Sequence, residues 1–249
     1  MNIEEVARAQ FRLDTNCPEE CEERYRIMIN RSVKLDGARM FDGMSIDFRA
    51  VIFKGDAYIM ASDELMEWTK EKYEKFKPEW FCAFSNLRTL DQKLMESGLK
   101  IHDTHVYFLP DEYAEEYELE CPYEVKWFED EEIDDFPDRK KFPHALPGLK
   151  LQPDRIAAAA FDEGVPVAVA GASEDGKYMW QIGIDVLPEY EHHGLAVFLV
   201  DSLKKKILEK GILPYYGTSE SHSLSQDVAI RSGFLPAWAE IFVKKIEKT

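Results

Sequence analysis

The run WQIGIDVLPEYEHHGLAVFLV, residues 180–200, concentrates the residue types that could do chemistry. Its apolar alternation ends near Val186, Pro188 breaks the strand, and a tight loop of Glu191, His192, His193 and Gly194 leads into a helical pattern beginning Leu195-Ala196. Such a loop turns backbone N–H groups outward at the positive end of a helix dipole, where an anion such as a pyrophosphate can sit. Gly194 has no side chain, so a phosphate can come close to the backbone, and Ala196 is small enough for the helix to pack against its strand. Taken alone this is also the corner that any α/β fold needs. The neighbouring pair His192-His193 suggests no metal site, because adjacent loop positions rarely aim two rings at one ion; solvent-facing histidines are the simpler reading. Cys17 and Cys21, four apart, lack a second pair at zinc spacing. Lys204, Lys205 and Lys206 read as the exposed face of the helix.

The residues of this run resemble motif A of the GNAT superfamily, the acyl-CoA-dependent N-acetyltransferases. The strand end is Val186-Leu-Pro188-Glu-Tyr190, and the loop Glu191 to Ala196 stands where the family has Arg/Gln-x-x-Gly-x-Gly/Ala. A later block is similar too: His222-Ser-Leu-Ser225, seven residues, then Gly233-Phe234, against the family's Asn-x-x-Ser, seven residues, Gly-Phe. The similarity spans about Tyr123–Lys244. It implies a GNAT-like mixed sheet flanked by helices in the C-terminal half, with acetyl-CoA as co-substrate and no metal.

By the same resemblance, Asp185, Val186, Leu187, Glu191, His192, His193, Gly194, Leu195, Ala196 and Ser225 are the expected cofactor contacts. In the family the strand before the loop splays from its neighbour, so the backbone of Ile184–Leu187 would hold pantetheine, with the N–H of Val186 or Leu187 donating to the acyl carbonyl. Amine acetylation also needs a base and an acid. Glu189, Asp185 and Glu220 are candidate bases, each equally readable as a solvated strand-end or loop residue; Tyr216, Tyr215 and His222 are candidate acids, the tyrosines equally readable as strand packing. Two departures stand out. Glu191 places a carboxylate where the phosphates should lie, and Ala229 stands where many members carry a general-acid tyrosine.

The elements that must position these residues sit in a chain of 249, ample for a large core. It is 45% hydrophobic and 32% charged, which is globular composition. The net charge of −17 repels phosphodiester backbones and anionic lipid heads, so nucleic acid and membrane surfaces are not expected partners. It favours a cationic small-molecule amine as acceptor. No apolar run is long enough to span a membrane, the start MNIEEVARAQ is unlike a signal peptide, and four cysteines make no disulfide scaffold; a cytoplasmic protein is expected. The sequence fixes no oligomeric state, and a homodimer stays open.

Between Asp111 and Arg139 there are fourteen acids and two bases, a stretch that reads as a solvated connector holding one strand, Tyr123–Trp127. It divides an N-terminal α/β domain, 1–110, from a GNAT-like domain, 121–249. In the first half the pattern predicts a helix over Pro18–Asn30 and a hairpin of Phe48–Phe53 with Ala57–Ala61. A helix from Ser62 to Phe76, an aromatic strand Glu79–Phe84, a helix Asn86–Ser97 and a strand His102–Leu109 follow. The second half predicts strands Ile156–Phe161, Val165–Ala170 and Lys177–Val186, a helix to Lys210, a strand Leu213–Thr218, a helix Leu224–Ser232 and a strand Ala237–Lys244. An offset of 135 aligns Ser97-Gly98-Leu99 with Ser232-Gly233-Phe234, so the first half reads as a diverged GNAT-like repeat without a glycine loop, chance similarity being the competitor. The leading expected function is acetyl transfer from acetyl-CoA to a primary amine of a small molecule. A protein or peptide acetyltransferase and a catalytically inactive CoA-binding module are the alternatives.

Overall fold

A computed structural model describes residues 1–22, 26–114 and 119–247. Two compact units divide the chain, one of Ala7–Tyr107 with Ala237–Thr249, the other of Met1–Val6 with Phe108–Pro236. In chain order come helices α1 (Ile3–Asp14) and α2 (Glu19–Glu22) and strands β1 (Ile27–Arg31), β2 (Ser45–Phe53) and β3 (Asp56–Ala61). Helices α3 (Asp63–Tyr73) and α4 (Phe84–Glu96) and strand β4 (Leu99–Pro110) follow. Then come β5 (Glu124–Glu129), α5 (Glu131–Asp134), β6 (Asp154–Asp162), β7 (Val165–Glu174) and β8 (Met179–Val186). The chain ends with α6 (Leu195–Glu209), β9 (Leu213–Thr218), α7 (Ser223–Arg231) and β10 (Phe234–Lys245). Both units are α/β, each with parallel and antiparallel strand pairs and packed helices.

In the unit built on residues 7–107 the strand order is β1-β3-β2-β10-β4. The β2–β3 hairpin turns on Lys54-Gly55, both at positive φ, the primed-turn geometry that matches strand twist. Leu65 and Tyr73 of α3 and Leu90 and Leu94 of α4 pack with Ile59, Ile241 and Val243 in one core. Two expectations fail here. The helix over Pro18–Asn30, of which 23–25 lie outside the described residues, is a single turn followed by β1: alternating Ile27 and Ile29 favour extended chain, and β1 pairs in parallel with β3. The aromatic strand Glu79–Phe84 is a 3₁₀ turn, Pro78–Trp80, and the start of α4. Pro78 has no N–H to give a ladder, and only Phe81 turns inward, onto Tyr73 and Phe76, while Trp80 and Phe84 stay exposed. The last strand pairs antiparallel with β2, from Trp238↔Phe53 to Phe242↔Arg49, so residues 237 onward complete this unit and not the other.

A closed charge cluster lies inside this unit. Arg39 donates from Nε to Asp14 at 2.6 Å and from a terminal nitrogen to Glu240 of β10 at 3.0 Å, and Arg49 donates to Glu240 at 2.5 Å. All four side chains are buried, with the Arg39 guanidinium against the touching rings of Phe11 and Trp238. Two cations meet two anions, so the desolvation of each is compensated.

The other unit orders its strands β9-β8-β7-β6-β5. Its acidic entry is less solvated than the composition implies: Ile133 and Phe136 are buried with Phe142, Ala145 and Leu146 against Ala157, Ala159, Phe161 and Val169. Glu124, Lys126 and Glu129 lie on β5, an edge strand, where charged side chains discourage further pairing. Alternate residues Ala158, Ala160, Ala168 and Ala170 point to the opposite face, and their small size lets α6 lie close over β6, β7 and β8. Among the described residues no helix is long and apolar enough to cross a membrane.

Candidate active site

The site is built where β8 leaves one neighbour and keeps the other. β8 pairs in parallel with β9 only from Met179↔Leu213 to Ile182↔Tyr216. On its other edge it pairs with β7 as far as Ala168↔Val186. Hydrogen bonding fixes which backbone groups face the opening. Leu187 N–H donates to Val167 C=O at 2.9 Å, so by the antiparallel alternation Asp185 and Leu187 spend their polar groups on β7. Leu213 N–H donates to Tyr178 C=O, which assigns the even-numbered residues of β8 to the β9 side. Ile184 and Val186 therefore present N–H and C=O to a wedge that β9 has vacated. Of the two expected carbonyl donors, Val186 is oriented for it and Leu187 is not.

Beyond the wedge the chain turns through Pro188–Tyr190. Tyr190 fixes this turn: its hydroxyl donates to Asp162 at 2.8 Å and its ring meets Tyr123. That hydrogen bond also raises the Tyr190 phenol above its ordinary range. His192 and Gly194 both take positive φ, and Gly194 caps α6, whose first internal hydrogen bond runs from Phe198 N–H to Gly194 C=O at 3.0 Å. The N–H groups of Leu195, Ala196 and Val197 precede that bond and point out of the helix end. A Cβ on Gly194 would meet nothing within 4 Å, so the space over the loop is open. Glu191, His192 and His193 are exposed, and the Glu191 carboxylate is 4.0 Å from the His192 ring. Backbone donors and open space together fit a pyrophosphate. Farther along the helix, Lys204 is not on an exposed face: its ammonium is buried and donates to Ser232 C=O while pairing with Asp201.

At the end of β9 the Tyr216 hydroxyl and Ser225 hydroxyl are 2.8 Å apart. Burial pushes the Tyr216 phenol up, the Ser225 hydrogen bond opposes this, and the charge of Asp185 adds to it. Tyr216 thus stays protonated at neutral pH beside the wedge. Tyr215, on the other face of β9, is committed to Asp175 at 2.7 Å and Gln181 at 3.1 Å, which makes it a structural residue. Glu189, Glu220 and His222 are exposed on the flanking turns; His222 lies 3.4 Å from the Thr218 hydroxyl.

The structure adds residues that the sequence pattern did not bring forward. Gly171 and Gly183 are cross-strand partners on the face opposite α6. A Cβ on Gly183 would fall 1.9 Å from the carbonyl oxygen of His144, and one on Gly171 2.0 Å from that of Ala145. Two bare strand positions thus seat the backbone of residues 144–145 directly on the sheet. Asp185, two residues beyond Gly183 on the same face, accepts the N–H of His144 and of Ala145, both at 2.8 Å, and lies 2.7 Å from His144 Nδ1. Its carboxylate serves this segment rather than the phosphate loop. A lone glycine inside each of the runs VAVAGASE and QIGIDV was the available signal.

A mixed sheet with one strand parted from its parallel neighbour, running into a glycine-capped helix, defines an acyltransferase of the acyl-CoA-using kind. Residues 110–234, half of the chain, match the model of the acetyltransferase (GNAT) family, and the chain belongs to that family. Among solved structures, a GCN5-related N-acetyltransferase-like protein from Streptococcus suis is 13% identical, with 97% of this chain and 100% of that one aligned and a TM-score of 0.46. A GNAT-family acetyltransferase from Colwellia psychrerythraea is 15% identical over 65% of this chain and 63% of that one, TM-score 0.42. The aminoglycoside N-acetyltransferase AAC(6')-Iy, in complex with CoA, is 18% identical over 46% of this chain and 88% of that one, TM-score 0.35. No curated protein matches the chain.

Proposed function

We propose that this chain transfers the acetyl group of acetyl-CoA to a primary amine on a small molecule. The observation that carries the reading is the row of unspent backbone groups on Ile184 and Val186, opening toward the bare corner at Gly194. The pyrophosphate would rest on the N–H groups of the loop and of Leu195, Ala196 and Val197, and pantetheine would run along Ile184 and Val186 as an added strand. The thioester carbonyl would accept from Val186 N–H, the donor that stabilises the developing oxyanion. Tyr216, kept protonated by burial, would give a proton to the departing thiolate, directly or through Ser225. Glu189, Glu220 and His222, on mobile-length side chains at the rim, would meet the acceptor, and the net charge of −17 would gather cationic amines.

Calorimetric titration with acetyl-CoA and CoA, followed by thiol release against a panel of small primary amines, tests this. Binding with turnover of a panel amine supports it. Binding with turnover only on peptides moves the acceptor class, binding without any turnover favours an inactive CoA-binding module, and no binding overturns the reading.

A further inference from the structure

The two exposed carboxylates proposed at the rim, Glu189 and Glu220, are not held in place by any hydrogen bond or ion pair among the described residues. One titratable side chain near the wedge is held. His144 is 81% exposed at its ring, yet its backbone is pinned on Gly183 and its Nδ1 is bound to Asp185. The two backbone N–H groups go to Asp185 Oδ2, and Nδ1 lies 2.7 Å from the other oxygen, Oδ1; an ionised carboxylate oxygen can only accept, so the neutral ring carries its proton on Nδ1. The lone pair of Nε2 is then left facing solvent. Asp185 fixes both the tautomer and the direction of the ring, the part played by an orienting carboxylate behind a basic imidazole. The charge facing the ring is that of Asp185 on β8, and the Tyr216 phenol on β9, which that charge reaches, is uncharged at neutral pH.

The placement follows from the pleat. α6 and its phosphate corner lie on one face of β8, and Gly183, Asp185 and residues 144–145 on the other. The wedge between β8 and β9 is a slot through the sheet. A donor thioester entering from the α6 side would meet an acceptor amine arriving from the His144 side. Resting on the acetyl-transfer reading above, we propose that His144 is the general base, accepting at Nε2 the proton of the acceptor ammonium. The amine nitrogen then bonds to the thioester carbonyl carbon and the C–S bond breaks, its electron pair leaving on sulfur. Tyr216 protonates the thiolate and is itself restored by the second nitrogen proton, giving the amide and CoA thiol. The proton on His144 returns to solvent.

The test is kcat and kcat/KM for the panel amine with the fastest turnover, from pH 6 to pH 10, in the parent protein, His144→Gln and His144→Ala, with CoA affinity and thermal midpoint measured alongside. Both variants should bind CoA as the parent does, because the ring is exposed and lies across the sheet from the phosphate corner. Their kcat/KM should fall about 100-fold at neutral pH, a typical loss for a missing base. The deficit should shrink as rising pH deprotonates the amine itself, so the variants' kcat/KM should go on rising with pH after the parent's has levelled off. A merely positioning side chain would give a loss independent of pH. Parent turnover that both variants share, or a pH-independent loss, overturns the base alone. A parent that turns over no amine overturns the functional reading and the base with it.

Discussion

Gly183→Ala is the sharpest probe of how this site is assembled. The new methyl would sit 1.9 Å from the His144 carbonyl oxygen, and real contacts of this kind are not closer than 3.0 Å. Either residues 144–145 lift off the sheet or β8 moves away; in both cases the two 2.8 Å bonds from their N–H groups to Asp185 pass the roughly 3.2 Å limit of a good hydrogen bond. Bonds to a charged acceptor are each worth about 1.5–3 kcal/mol, overpacking adds about 1–3, and the same relaxation is counted in both. The smaller backbone entropy of an unfolded alanine returns about 0.4–1 kcal/mol. A net loss of about 2–4 kcal/mol is expected, read as a lower urea midpoint with an unchanged slope. Asp185→Asn weakens the same bonds without the clash, so the double variant should lose clearly less than the sum of the singles. A Gly183→Ala protein with the parent's midpoint, or a fully additive pair, would refute the seating of residues 144–145 on the sheet.

Gly194→Val should keep the fold, since its Cβ has open space and its positive φ costs about 1–2 kcal/mol, but should weaken CoA binding at least tenfold by titration calorimetry; an unchanged affinity removes the phosphate corner. Glu191→Gln should tighten CoA binding on the order of threefold at low ionic strength and much less at high, the size expected for one charge about 6 Å from the phosphates in a water-like medium. Equal affinities at low salt would mean that the carboxylate faces away. Burial raises the Tyr73 phenol far above its ordinary value, with the Asn86 side chain opposing. The unfolded phenol ionises near pH 10 and the folded one does not, so stability is level below about pH 10 and then falls by about 1.4 kcal/mol per pH unit for this group. Urea midpoints against pH should show that alkaline fall, and Tyr73→Phe should make it shallower; an identical fall would assign it elsewhere.

The second half was the more legible part of the sequence because its local signals agree. Asp162-Glu163-Gly164 sits between two alanine-rich apolar runs, Pro188 follows a strand, and Gly194 and Gly233 end or begin helices at positive φ. Where aromatic content was read as strand, at Glu79–Phe84, one proline and a single inward ring decided otherwise. β1 was hidden because its pairing with β3 is long-range and its flanks are charged. The last strand is legible as a strand, but no local pattern says that β2 is its partner. His144 was invisible for a related reason: its partner lies 41 positions away, and neither residue alone differs from a surface histidine or a strand-end aspartate.

The buried cluster of Asp14, Arg39, Arg49 and Glu240 has a consequence for how the polypeptide is made. During synthesis the segment 7–107 leaves the ribosome first, yet its sheet lacks the strand between β2 and β4, and its two buried guanidinium groups face one carboxylate. Residues 108–236, an insertion in that unit, have all their strands before the chain is finished. The usual order, with the N-terminal unit maturing first during translation, is therefore inverted. Commitment of the first-made segment waits for Glu240, which is made only after residues 108–236. A nascent or prematurely terminated chain would carry an uncompensated interior cation and a bare edge on β2, the features that quality-control chaperones and proteases act upon.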